Sequence, residues 1–168
     1  MKHFLNKTGS LSLILALVFS FGCSSSKKNA STEAAYSGDT VKETGFEVNG
    51  DSDSGTAGAL RTVYFALDSS SLGSDSKATL EANAQFLSEN SSVKIQVEGH
   101  ADERGGVQYN LALGERRAKT LKNYLIGLGV ASNRIDIVSY GKERPLEFGH
   151  GEGSWSKNRR GNFVVTAK

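Results

Sequence analysis

Hydrophobic and polar positions divide the chain into three stretches. Residues 11–21 form an almost unbroken apolar run. From residue 24 to residue 59 large apolar side chains are sparse and no period is visible. From Leu60 onward the periods become regular. Thr62, Val63, Tyr64 and Phe65 read as a β-branched and aromatic strand. Residues 74–89 carry Leu80, Ala84 and Leu87 at i, i+4 and i+7, which predicts a helix. Val93, Ile95 and Val97 alternate with Lys94, Gln96 and Glu98, predicting a half-buried strand. Residues 108–128 carry Leu111, Gly114, Ala118, Leu121, Leu125 and Leu128 at helical spacing, and Gly129 supplies a stop. Residues 135–140 and 162–166 read as two further strands. The order βαβαββ with two amphipathic helices predicts an α+β sandwich: a mixed four-stranded sheet with helices on one face.

The apolar run near the start is preceded by Lys2 and Lys7 and followed by small residues leading to Gly22 and Cys23. That is the three-part pattern of a secretory signal peptide. The run is about half of the roughly 20 residues a membrane-spanning helix needs. Cys23, the single cysteine, reads either as an incidental thiol or as a lipidation site. The arrangement resembles a bacterial lipoprotein signal, in which the Cys is acylated and becomes the first residue; Ser20 stands where that pattern usually has Leu. Two or more acyl chains at one site give stable anchoring where one would be marginal. Ser24 follows the Cys in place of the Asp that marks inner-membrane retention in many lipoproteins, which points to the outer membrane.

Composition then sets the domain plan. Residues 24–59 are rich in Ser, Thr, Gly, Asp, Glu, Lys and Asn, too polar to offset the entropy of ordering. They predict a flexible tether with an end-to-end distance of about 30–36 Å. The plan is a signal peptide over residues 1–22, a lipidated Cys and tether over 23–59, and one domain over 60–168. Charge is close to balanced, 20 Lys and Arg against 18 Asp and Glu, which excludes the strongly basic face expected of a nucleic-acid binder. One Cys excludes an internal disulfide and multi-Cys metal frameworks.

Candidate chemistry concentrates between the second strand and the long helix, in Glu98-Gly99-His100-Ala101-Asp102-Glu103-Arg104-Gly105-Gly106. Ligands favour such strand-end loops, and the helix N-terminus presents free N–H groups to a carboxylate. Asn110, Leu113 and Arg117 follow at i, i+3 and i+7, a stripe at the rim of the apolar one, facing the Asp102 loop. An Asp and an Arg in one pocket suit a zwitterion, the guanidinium taking its carboxylate and the Asp its ammonium. From pattern alone, the same pair also reads as a structural salt bridge.

The motifs Val97-Glu98-Gly99-His100-Ala101-Asp102-Glu103-Arg104-Gly105, Tyr109-Asn110, Leu113-Gly114-Glu115-Arg116-Arg117-Ala118, Val138-Ser139-Tyr140-Gly141-Lys142-Glu143 and Ser156-Lys157-Asn158-Arg159-Arg160 closely resemble the OmpA-like peptidoglycan-binding domain. The resemblance runs in unbroken order from Thr62 to the C-terminus. It implies binding of the peptidoglycan stem peptide through diaminopimelate, whose side chain ends in an amino-acid zwitterion. The implied ligand residues are Asp102 and Arg117, with Asn110 and Leu113 lining the pocket, Arg104 at its loop, and Asp68, Ser69 and Ser70 contacting the peptide. Close family members usually read Phe-Asp-Phe-Asp-Lys-Tyr-Asp in this first loop. Here Phe65-Ala66-Leu67-Asp68-Ser69-Ser70-Ser71 lacks two aromatics and two carboxylates. For lipoproteins of the family the resemblance also implies a second partner, the periplasmic β-propeller TolB, competing for the same surface. No cofactor is implied.

Other readings are of a different class. Glu98, His100 and Asp102 alternate and would share one face, a conceivable acid–base or metal site of a wall hydrolase; with no second His or carboxylate cluster to complete a shell, the preferred reading is polar residues at an exposed strand end. Arg159 and Arg160 read as a basic contact patch or, preferably, as fixing the approach to the last strand through salt bridges or helix-end contacts. Trp155 and Phe148 read as partner contacts or as aromatics covering the core.

Overall fold

In the computed structural model, which describes residues 45–168, the alternation at Ile95 and Val97 becomes one of the two inner strands of a four-stranded sheet. β1 (Val63–Tyr64), β2 (Lys94–His100), β3 (Ile135–Gly141) and β4 (Arg160–Ala167) lie in the order β1-β4-β2-β3. β2 runs parallel to β3 and antiparallel to β4, and β4 pairs antiparallel with β1. The helices are α1 (Ser74–Glu89), α2 (Val107–Gly127) and α3 (Glu152–Asn158), and a 3-10 turn at Ser132–Arg134 leads into β3. The mixed sheet and both long helices are as expected from the sequence. α3 is additional, and turns the order βαβαββ into βαβαβαβ. The signal peptide, Cys23 and the tether up to residue 44 lie outside the described residues. Among the described residues no helix is long and apolar enough to cross a membrane.

The period of each element decides what it buries. Ile95 and Val97 of β2 and Phe163 and Val165 of β4 meet Leu80 and Leu87 of α1 and Leu121 and Leu125 of α2 in one core. Lys94, Gln96 and Glu98 turn to the opposite face. Burying each large apolar side chain contributes about 1.5–3 kcal/mol.

Two glycines set how closely α2 lies on the sheet. A Cβ on Gly99 of β2 would fall 1.8 Å from the carbonyl oxygen of Gly114 in α2. On Gly114 it would fall 2.6 Å from the Gly99 oxygen. Backbone therefore touches backbone at this crossing. Ser139 of β3 fastens it, its Oγ donating to the Leu111 carbonyl at 2.7 Å. The first half of α2 is thereby held against the C-terminal end of β2, where the candidate loop begins.

The ordered part also starts earlier than residue 60. Phe46 and Ala57 are buried in the core, and the Phe46 ring meets Phe86 of α1 edge-on at 5.2 Å. Asn49 donates to the Val165 carbonyl at 2.7 Å, Val165 to that of Gly50 at 2.9 Å, and Ser52 to that of Phe163 at 3.0 Å. This segment continues the sheet edge that two-residue β1 leaves open, which protects β4 from pairing elsewhere. Asp53 then forms an ion pair with Arg160, Nε to Oδ2, at 2.7 Å. Reading all of 24–59 as a tether therefore overextends it by 45–59. Composition misleads because a few apolar anchors and backbone hydrogen bonds suffice when an existing sheet edge supplies the partners.

Candidate functional site

The loop leaving β2 carries Asp102 into a buried position, 5% exposed. Its Oδ1 accepts the backbone N–H and the Nε–H of Arg104, both at 3.1 Å, and its Oδ2 accepts Nη2 at 2.6 Å. Arg159 adds Nη1 at 3.4 Å. Burial pushes the Asp102 pKa up, but the Arg104 and Arg159 hydrogen bonds outweigh it and hold the group below its ordinary value. The carboxylate is ionised and already has partners.

Arg117 arrives from the opposite wall, nearly three helical turns into α2, and is fully buried. Among the described residues its guanidinium meets carbonyls rather than a carboxylate. Nη1 donates to His100 at 2.6 Å, Nε to Ser69 at 2.8 Å, and Nη2 to Ala66 at 3.0 Å. The cation lies 5.0 Å from the Phe65 ring centroid. Burial is the main force lowering its pKa, opposed by Asp102 and reinforced by Arg159, to about 10. At neutral pH it keeps its charge. Of the five N–H donors of a guanidinium, three are spent on these carbonyls and two are left over.

Between them opens a cavity of about 290 Å³, lined by Asp68, Asp102, Arg104, Asn110, Leu113 and Arg117 together with Leu67, Ala101, Gly105, Tyr109 and Arg159. Six of the eight residues expected at the site are thus brought together. Ser69 and Ser70 do not line it. Ser69 acts through its carbonyl on Arg117, and its Oγ caps the N–H of Ser71 at 3.0 Å. Asn110 is buried, and its Nδ2 donates to the Arg104 carbonyl at 2.8 Å, fixing the loop to the helix. Asn110, Leu113 and Arg117 are all at most 4% exposed, and they line the cavity beside the Asp102 loop rather than joining the main apolar core.

Sequence reasoning missed Tyr109, whose hydroxyl donates to the Asp68 carboxylate. Its spacing carried the signal: Tyr109, Leu113 and Arg117 stand at i, i+4 and i+8, one face of α2. Asp68 itself has φ of 52°, a left-handed conformation that Asp tolerates better than most residues. Arg159 was expected as a salt bridge near the last strand, which it makes with Asp102 and Glu152; its place in the cavity wall was not legible.

The alternative cluster does not assemble. β2 ends at His100, so Asp102 leaves the strand's alternation and turns into the cavity. His100 and Glu98 lie outside the cavity lining, with Nε2 and Oε2 3.5 Å apart, and Asn162 donates to Glu98 at 2.9 Å. Burial dominates in lowering the His100 pKa, so the buried imidazole is neutral at pH 7. Among the described residues no group of three acidic, His or Cys side chains could hold a metal.

The family model for the OmpA family matches residues 64–159. The chain is 42% identical over 154 residues to the peptidoglycan-associated lipoprotein of Pseudomonas aeruginosa, covering 88% of this chain and 90% of that one. It is 40% identical over 155 residues to the protein of the same name from Rhizobium meliloti, covering 92% and 85%. Among solved structures, the peptidoglycan-associated lipoprotein from Burkholderia pseudomallei superposes with a TM-score of 0.61 at 43% identity, over 64% of this chain and 91% of that one. The C-terminal domain of Helicobacter pylori MotB, 22% identical with a TM-score of 0.61 over 65% and 86%, shares the fold.

Proposed function

The chain belongs to the OmpA family, and from that premise we propose that it is an outer-membrane lipoprotein whose cavity binds the diaminopimelate stem peptide of peptidoglycan. Acylated Cys23 holds one end in the membrane and the cavity holds the wall, so the protein ties the two together without catalysis. One observation carries the reading: a fully buried, charged Arg117, without a carboxylate partner among the described residues, shares a cavity with ionised Asp102. Keeping an arginine charged and dry is costly unless an anion completes it. The zwitterionic end of diaminopimelate supplies that anion, its carboxylate taking the two free N–H groups of Arg117 and its ammonium meeting Asp102.

Asn110 and Leu113 shape the floor, Arg104 stands at the loop, and Asp68, Ser69 and Ser70 offer the peptide polar contacts. Leu67 and Tyr109, 58% and 50% exposed, form an apolar rim. Such a rim suits a protein partner, and the reading extends to a TolB-like β-propeller that competes with the wall, in a Tol–Pal system supporting envelope integrity and division.

Co-sedimentation with purified sacculi tests the reading. The full chain is expected to pellet with sacculi, to be released by soluble diaminopimelate peptide, and to leave the sacculi intact. Failure to pellet, or release of soluble wall fragments, would overturn it.

A further inference from the structure

Asp102 is not an open counter-ion. Arg104 grips both of its oxygens, at 3.1 and 2.6 Å, and the exposures, 33% for the Arg104 side chain against 6% for that of Asp102, put the guanidinium on the solvent side of the carboxylate. A ligand ammonium bound for Asp102 meets Arg104 first.

The surroundings fix the backbone of Arg104 and give its side chain a second contact besides Asp102. Lys142 Nζ donates to the Gly105 carbonyl at 2.7 Å and to that of Glu103 at 3.2 Å, and Asn110 holds the Arg104 carbonyl. The guanidinium lies 4.0 Å from the centroid of the Trp155 indole. That ring is itself pinned, Nε1 donating to Glu103 at 2.7 Å, while His150 lies 2.9 Å from the same carboxylate. When Arg104 leaves Asp102, the indole face still receives its cation.

Resting on the diaminopimelate reading above, we propose that Arg104 is a gate: it occupies the place on Asp102 that the ligand's ammonium requires and must be displaced before the site closes on peptide. The gate makes the site selective. A stem peptide with a free side-chain amine replaces one cation on Asp102 by another. A peptide whose amine is acylated by a cross-link brings no replacement and leaves Arg104 in place. The site therefore discriminates for uncross-linked stems, and Arg104 sets the threshold.

The experiment titrates the detergent-solubilised full chain, wild type, Arg104→Gln and Arg104→Lys, with a diaminopimelate tripeptide and with its side-chain N-acetylated form. Trp155 is the single tryptophan, so its emission reports movement of Arg104 beside calorimetric affinities. Arg104→Gln is expected to bind the free-amine peptide roughly two- to tenfold tighter, as expected when a partly exposed ion pair no longer needs breaking. It is also expected to discriminate less against the acetylated peptide and to lose most of the emission change. Arg104→Lys keeps a cation but not the two-point grip and is expected to fall between wild type and Arg104→Gln. If wild type binds while Arg104→Gln binds equally or more weakly, the gate is overturned and Arg104 is a bystander or an ordinary contact. If no form binds either peptide, the diaminopimelate reading falls, and the gate with it.

Discussion

Asp102→Asn isolates the charge on one wall of the cavity while keeping its shape. In the free protein the carboxylate faces Arg104 and Arg159. Asn keeps an acceptor for the Arg104 backbone N–H, and Arg159 keeps its Glu152 partner and the Phe65 carbonyl at 3.1 Å. The stability cost is therefore that of weakening charged hydrogen bonds that are partly replaced, about 1–2 kcal/mol. For an ordered unit of this size that lowers Tm by roughly 4–8 °C. Binding suffers more. Removing one partner of a desolvated charge pair costs about 2–5 kcal/mol, and the part-exposed mouth of the cavity places this case near the lower end. A loss of about 2–3 kcal/mol corresponds to roughly 30- to 150-fold in Kd. Calorimetric titration with diaminopimelate tripeptide at pH 7, beside thermal melting by circular dichroism, separates the two effects. Affinity within threefold of wild type would show that the ammonium does not meet Asp102.

Three further outcomes are expected. Phe46→Ala removes a ring that is 5% exposed and should lower the unfolding free energy by about 3–5 kcal/mol in urea titration; no change would return residues 45–59 to the tether. The lowered pKa of buried His100 makes the unfolded chain the better proton acceptor below its ordinary value, so stability falls with pH from about 6.5 downward. Glu98 and Asp102, both held below their ordinary values, lose their contributions only below about pH 4.5; the slope between pH 6.5 and 5 should therefore flatten in His100→Gln, and an unchanged slope contradicts the assignment. Cys23→Ser should leave the chain unlipidated and move it out of the membrane fraction; unaltered fractionation would sink the anchor.

What the sequence made legible follows the range of the interactions. α1 was readable to the residue, Ser74–Glu89, and α2 to within one, because local periodicity reports which face an element buries. α3 was not, since Gly151, Gly153 and two serines surround Trp155 and leave no apolar period over seven residues. The cavity was half legible. Asp102, Asn110, Leu113 and Arg117 sit close together in the chain, on one loop and one helix, so spacing alone groups them. Arg159 and Tyr109–Asp68 join through folding across 57 and 41 positions, and no local pattern reports such pairs. The choice of partners was also hidden. Pattern suggested an Asp102–Arg117 pair, whereas the free protein pairs Asp102 with Arg104 and Arg159 and leaves Arg117 to carbonyls.

The cavity is expected to recognise the amino-acid zwitterion at the end of diaminopimelate. The most direct test titrates the full chain with a diaminopimelate stem peptide and with the same peptide carrying lysine, which keeps the ammonium and lacks only the carboxylate. Saturable binding to the first, and loss of at least about 30-fold with the second, is the expected result for a carboxylate held by buried Arg117. Equal affinity for both peptides would mean that Arg117 receives no ligand carboxylate, and would contradict the account.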